Sequence, residues 1–171
     1  MWNALGDTLR EDEHEKSVDR WLLPILGRLV VVAGLAVSVL DIAILRHGRF
    51  VPIALGIPGL AFLLAGLSLY GAARLTLGRF FSETVRIKPG HRLITKGPYR
   101  FIRHPIYLAV ILFGLSIPMI LGSLYGFVTI LALVPMLILR IRFEEKVLAS
   151  TFGQEYVEYA HKTKKLIPYI Y

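Results

Sequence analysis

Residues 91–107 read H-R-L-I-T-K-G-P-Y-R-F-I-R-H-P-I-Y and form the most polar stretch between two pairs of long apolar runs. Arg92, Lys96, Arg100 and Arg103 supply charge, His91 and His104 titratable rings, and Tyr99 and Tyr107 amphipathic ones. Gly97-Pro98 and Pro105 impose sharp changes of backbone direction around them. A connection that only had to be soluble would not need this density of anion-holding, stacking and hydrogen-bonding groups. The segment is built to grip a ligand.

The flanking runs decide the fold class. Of 171 residues, 55% are hydrophobic, and the mean hydropathy is +0.59, too apolar for an ordinary soluble domain. Four runs carry the excess: 21–45, 51–73, 104–121 and 123–139. The first two exceed the roughly 20 residues needed to cross ~30 Å of hydrocarbon as helix. The last two form one apolar block, read as a tight helical hairpin turning at Gly122-Ser123 and kinked at Pro118 and Pro135. The expected architecture is one all-α integral membrane domain over residues 1–171 with about four transmembrane helices. An arm (1–20), a loop (74–103) and a C-terminal segment (140–171) lie outside the bilayer.

The net charge of +8 is first a topology signal. Seventeen Lys and Arg residues fall before the first run, between the second and third, and after the fourth; two, Arg46 and Arg49, fall on the other face. The positive-inside rule places the basic face and both termini in the cytoplasm. That membrane is the cytoplasmic one in a prokaryote and the endoplasmic reticulum in a eukaryote. The same distribution argues against a nucleic-acid partner. The first 20 residues carry six acids and no compact apolar core, so no cleavable leader is expected. They read as a solvated arm. Arg28 and Asp41, the two charges inside the first run, stand 13 residues apart and cannot pair. Arg28 is read as snorkelling to the interface and Asp41 as reaching Arg46 or Arg49. Small residues in the second run (Ala54, Gly56, Gly59, Ala61, Ala65, Gly66) mark a helix-packing face.

The chemistry is narrowed by what is missing. Without cysteine, thiolate catalysis and cysteine-based metal sites are excluded. The sequence has no G-x-S-x-G or H-E-x-x-H motif, and its five histidines show no zinc-ligand spacing, so no metal is expected. No G-x-G triplet supports a dinucleotide-type loop. Polar residues gather at one face rather than at the midplane, which disfavours a transporter. An interfacial enzyme remains, its site made by residues 91–107 and 140–159 at the two ends of the hairpin. There the acids Glu144 and Glu145 meet a basic loop. Arg140 with Glu144 and Arg142 with Glu145 have the spacing of helical ion pairs, and Phe152-Gly153 marks a helix break.

The ordered set H-x-L-x-x-x-G-x-Y-x-x-x-R-H-P-x-Y at 91–107, R-x-R-x-E-E at 140–145, F-G-x-E-Y-x-E-Y at 152–159 and I-P at 167–168 resembles the isoprenylcysteine carboxyl methyltransferase family. Related phospholipid methyltransferases share parts of it. The resemblance covers Arg74 to Tyr171 and implies S-adenosylmethionine as methyl donor. It places His91 and Leu93 in the cofactor-binding loop, with the Gly97-Pro98 turn and Tyr99 beside them. His104 and Tyr107 reach the cofactor from the third helix, and Glu145, with Glu144, holds the cationic end or amino group of the donor. A lipophilic carboxylate is the expected acceptor, oriented by Arg140, then Arg74, then Arg103. For an amine acceptor, Glu144, Glu145 or His104 would have to act as base. The expected partners are a lipophilic or prenylated substrate and membrane lipids. The alternatives are a phospholipid amine or another lipophilic nucleophile as acceptor, or a non-catalytic ligand-binding protein of the same fold. Only two runs precede Arg74, which implies a minimal version with a reduced membrane tunnel.

Overall fold

The structure, a computed structural model, describes residues 23–45, 55–81 and 92–167. His91, the N-terminal arm, Arg46, Arg49, Ala54 and Pro168–Tyr171 lie outside the described residues. Among those described the protein is all-helical. Helix α1 (Leu23–Leu40) runs on as a π-helical turn, Asp41–Leu45, and α2 spans Gly56–Leu77. Short 3-10 turns occupy Gly78–Phe80 and Gly97–Arg100. They are followed by α3 (Pro105–Leu121), α4 (Leu124–Leu131), α5 (Leu133–Phe152) and α6 (Gln154–Lys162).

Among the described residues three stretches, Pro24–Ile44, Gly56–Phe80 and Leu124–Phe152, are long and apolar enough to cross a membrane. Helix α3, with 17 residues and a length of about 25 Å, is the shorter apolar helix among them. The polarity pattern is inverted relative to a soluble protein. Leu29, Val39, Leu60, Leu64, Val128 and Leu139 are exposed, while Ser38, Asp41, His104, Ser116, Ser123 and Thr163 are buried. Outward apolar side chains suit hydrocarbon, and inward polar groups find partners. The chain is an integral membrane protein.

The expected boundaries shift in two places. Helix α2 continues four residues beyond 73, to Leu77, and stops where Gly78 takes φ 51°. The fourth run breaks at Ala132, ahead of the expected kink at Pro135, and continues beyond 139 as helix to Phe152, where the expected break falls. Pro135 explains the break, because it has no N–H to donate to the Leu131 carbonyl. Pro118 does lie inside α3, without ending it. The hairpin turn falls at Gly122-Ser123, as expected. Gly122 adopts a left-handed φ of 70°, and Ser123 caps α4 by accepting from the Gly126 N–H.

Two close seams hold the helices together. On α2 the buried residues Gly59, Gly66 and Ala73 recur every seven positions and face α3 antiparallel. A Cβ at Gly66 would stand 3.0 Å from the Phe113 backbone nitrogen and 3.1 Å from the Ala109 carbonyl oxygen. Backbone cannot swing aside, so Gly66→Ala is expected to cost about 1–3 kcal/mol through overpacking. A Cβ at Gly71, on the same helix, would meet nothing within 4 Å, so Gly71→Ala should be neutral or gain up to about 1 kcal/mol from helix propensity. Equal thermal stability of the two variants in detergent would contradict this seam.

At the far end, α1 crosses α4. A Cβ on Gly126 would meet Ser38 Oγ, and one on Gly34 would meet Ile130. Next to this crossing the Ser123 hydroxyl donates to Asp41 Oδ2 at 2.7 Å, and Asp41 is 2% exposed. Asp41 thus ties α1 to the hairpin turn; Arg46 and Arg49, its expected partners, lie outside the described residues.

Candidate active site

The opposite end of the bundle is closed by pairing of the loop with the tail. Arg103 N–H donates to the Lys164 carbonyl at 2.8 Å, His104 N–H to the Lys165 carbonyl at 3.0 Å, and Lys164 N–H to the Phe101 carbonyl at 3.3 Å. This short parallel bridge fixes Arg103 and His104 just before α3, where Pro105 begins the helix with its φ already set.

Arg103 is the centre of the closure. Its Nε donates to Glu145 Oε1 at 2.7 Å, and its Nη1 to the Ala160 carbonyl at 2.8 Å, to the Thr163 carbonyl and to Thr163 Oγ1. Glu145 Oε2 also pairs with Lys165 Nζ at 2.9 Å. Glu145, expected to pair along the helix with Arg142, is instead the anchor that holds the tail. The Tyr159 hydroxyl donates to the Tyr99 carbonyl at 2.7 Å, so α6 is tied to the loop at a second point.

Beside this closure a second chain of bonds runs inward. Arg140 Nε donates to the Tyr107 hydroxyl at 2.8 Å, which donates to Glu144 Oε2 at 2.6 Å. The Tyr107 ring stacks on His104 with centroids 5.5 Å apart. Arg140 and Glu144, one turn apart on α5, are therefore bridged by a phenol from α3.

Among the described residues a cavity of about 730 Å³ lies against this closure, within the range of sites for drug-sized ligands. Its polar end has Arg92, Tyr99, Arg103, His104, Tyr107, Arg140, Glu144, Tyr156 and Tyr159; its length is walled by apolar residues such as Val31, Leu67, Phe113, Leu133 and Leu137. Burial raises the pKa values of the Tyr99 and Tyr156 phenols well above the usual value and pushes that of Tyr159 up to about 12. All three remain neutral at physiological pH. His104 Nε2 is buried 3.5 Å from Glu145 Oε1, and His104 and Tyr156 both line the cavity.

Of the sequence-predicted site residues, Leu93, Tyr99, Arg103, His104, Tyr107, Arg140 and Glu144 line this cavity, and Arg74, Gly97 and Glu145 do not. Arg74 donates to the Gly78 carbonyl at 3.1 Å and covers the Phe81 ring at 4.2 Å, closing the end of α2. Gly97, at φ 57°, packs where a Cβ would stand 2.7 Å from Thr76 Oγ1. His91 lies outside the described residues. Three contributors have no role that sequence alone assigns. Tyr156 and Tyr159 sit inside a quoted motif, and Lys165 carries no signal at all.

The site is a buried polar pocket at one end of a membrane helix bundle, with an apolar extension between the helices. A sequence model of the isoprenylcysteine carboxyl methyltransferase family matches residues 59–150. The chain is 30% identical over 115 residues to protein-S-isoprenylcysteine O-methyltransferase B of Arabidopsis thaliana, covering 66% of this chain and 58% of that protein. It is 35% identical over 114 residues to protein-S-isoprenylcysteine O-methyltransferase of Schizosaccharomyces pombe, covering 65% and 48%. The solved structure of a eukaryotic intramembrane Ras methyltransferase of this type superposes with a TM-score of 0.71 at 27% identity, covering 84% of this chain and 52% of that one. The chain belongs to the isoprenylcysteine carboxyl methyltransferase family. It spans about half to three-fifths of the length of these relatives.

Proposed function

We propose that the protein is an integral membrane methyltransferase that takes its methyl group from S-adenosylmethionine and esterifies a lipophilic carboxylate of the isoprenylcysteine type. The observation that carries this reading is the cavity itself. One end is polar and closed by the loop and tail, and the other is apolar and lies between membrane helices.

The residues present fit that donor. Glu144, with a side chain 29% exposed, offers a carboxylate at the cavity's polar end, and the neutral tyrosines supply flat walls for an aromatic base. Bound there, the donor would supply an electrophilic methyl group on a cationic sulfonium. The remaining tasks belong to the chain. Glu144 complements positive charge, and the Tyr107 hydroxyl, held by Arg140, fixes the carboxylate's orientation. Arg140 is the cation best placed to orient an acid, since Arg103 is taken up by the tail and Arg74 stands away from the cavity. A carboxylate gives up no proton on methylation, so the site needs alignment rather than a base. Alignment of this kind is worth roughly 7–11 kcal/mol. The apolar walls keep water from competing for the methyl group.

Purified protein in lipid nanodiscs, given methyl-labelled S-adenosylmethionine and N-acetyl-S-farnesylcysteine, should yield a labelled product that releases methanol in alkali. An alkali-stable product from a lipid extract would identify an amine acceptor, with Glu144 as its base. No transfer to either, together with no binding of S-adenosylhomocysteine, would leave the non-catalytic ligand-binding alternative.

A further inference from the structure

Where the loop meets the tail, four side chains form a corner outside the cavity. Phe101 is 52% and Ile167 42% exposed, and Arg100 and Lys164 are exposed with them. The Arg100 guanidinium stands 4.9 Å from the centre of the Phe101 ring, and Lys164 N–H donates to the Phe101 carbonyl at 3.3 Å. None of the four lines the cavity. The bridge between Ile102 and Lys164 is parallel, so the tail runs on toward Ile167 in the direction in which the loop enters α3.

The depth of this corner follows from the helices beside it. Outward side chains change from Leu139 to Arg142 and Lys146 within two turns of α5, and from Leu75 at the end of α2 to Arg79 just after it. Such a change of polarity marks the edge of the hydrocarbon. Arg103, two residues after Phe101, bonds Glu145 on that part of α5, and Gly97 packs on Thr76 near the end of α2. The corner therefore lies at headgroup level. Apolar tips there enter the acyl boundary while cations stay among the phosphates. The exposed acids of the tail, Glu155 and Glu158, stand at least six residues before Lys164, and Lys162 adds a further exposed cation.

We propose that this corner is a site for anionic phospholipid, whose headgroup binds Arg100 and Lys164 while Phe101 and Ile167 enter the acyl boundary. Arg100 and Phe101 belong to the loop, Lys164 and Ile167 to the tail, so only the closed arrangement presents all four together. A lipid that binds the closed form better than the open one shifts the protein toward closure. The tail carries Tyr156 and Tyr159 into the cavity wall, so the charge of the surrounding leaflet sets how firmly the polar end is shut. The lipid site is independent of which acceptor the cavity takes.

The test is hydrogen exchange of residues 153–167 in nanodiscs of pure phosphatidylcholine and of equal parts phosphatidylcholine and phosphatidylglycerol. Each basic residue near an anionic surface gains about fivefold, and ionic screening removes part of it. Wild type should therefore exchange roughly tenfold more slowly in the anionic discs. Arg100→Gln/Lys164→Gln should abolish that difference while matching wild type in phosphatidylcholine, and Arg100→Lys/Lys164→Arg should keep it. Arg142→Gln/Lys146→Gln, which removes the same charge from α5, should also keep it. The proposal is overturned if wild type exchanges equally in both lipids, if Arg100→Gln/Lys164→Gln keeps the difference, or if Arg142→Gln/Lys146→Gln abolishes it. Faster exchange of Arg100→Gln/Lys164→Gln in phosphatidylcholine would also overturn it, by marking a structural role. Equal protection of wild type in phosphatidylcholine by soluble glycerol phosphate would overturn it too, by assigning the corner to a free anion. Exchange is read without turnover, so a failed methyl-transfer assay leaves this result standing, and equal exchange leaves the methyltransferase reading standing.

Discussion

Arg103→Ala is expected to lower the unfolding free energy by about 3 kcal/mol and to expose residues 153–167 to protease. The Arg103 and Glu145 side chains are 8% and 15% exposed, and breaking one partner of a buried pair costs about 3–5 kcal/mol because the other charge is left behind. Lys165 remains on Glu145, which sets the effect at the lower end. The same change removes the donors to the Ala160 and Thr163 carbonyls, so the loss concentrates on the tail. Arg103→Lys keeps a positive charge, but an ammonium cannot span Glu145 and both carbonyls as a planar guanidinium does. It should fall between wild type and alanine. Chemical unfolding in detergent gives the energy, and limited proteolysis read by mass spectrometry gives the location. A variant with wild-type stability and an uncut tail would show that the closure does not depend on Arg103.

Glu144→Gln should leave the fold intact and weaken binding of the donor by roughly 10- to 100-fold, the range for losing a hydrogen bond to a charged group. Glutamine keeps an oxygen to accept from Tyr107, so the bridge to Arg140 survives while the negative charge goes. Calorimetry with two ligands locates the contact. S-adenosylmethionine carries a sulfonium charge that S-adenosylhomocysteine lacks, and both carry the amino group. Selective loss of S-adenosylmethionine binding places the carboxylate near the sulfonium, whereas equal loss places it near the amine. Wild-type affinity for both would remove Glu144 from the donor site. Glu145→Gln should behave differently, acting through stability because that carboxylate anchors Arg103 and Lys165.

The contrast between these neighbours marks a limit of what the chain discloses. The motif R-x-R-x-E-E announces a site, and the apolar runs announce a helix carrying it. Adjacent residues on a helix point about 100° apart, so one acid faces the cavity and the other faces the tail. Only the packing of α5 against its neighbours decides which. Arg140, Arg103 and Arg74 likewise have the same chemistry in sequence, and partners separate them: a tyrosine on α3, two carbonyls in the tail, a phenylalanine after α2. The spans are legible because hydrocarbon thickness sets length, and the turn at Gly122 because positive φ favours glycine. The break at Ala132 is half legible, since Pro135 announces a disturbance without its position. Arg28 has a sufficient explanation in snorkelling. Its place on the cavity wall depends on how α1 packs against its neighbours, which no local pattern encodes. The family match ends at residue 150, before Tyr156 and Tyr159, which the longer motif keeps in view.

The bond between Ser123 and Asp41 has a mechanical consequence. It fastens α1 at the end remote from the cavity, beside a crossing so close that Gly126 has no room for a methyl group. Toward the cavity the same helix is held a second time, by Val30 and Val31 against the buried cluster of Ile130, Leu133 and Leu137. Clamped at two levels, α1 can serve as a fixed wall, and the distant serine takes a share of keeping that wall in place.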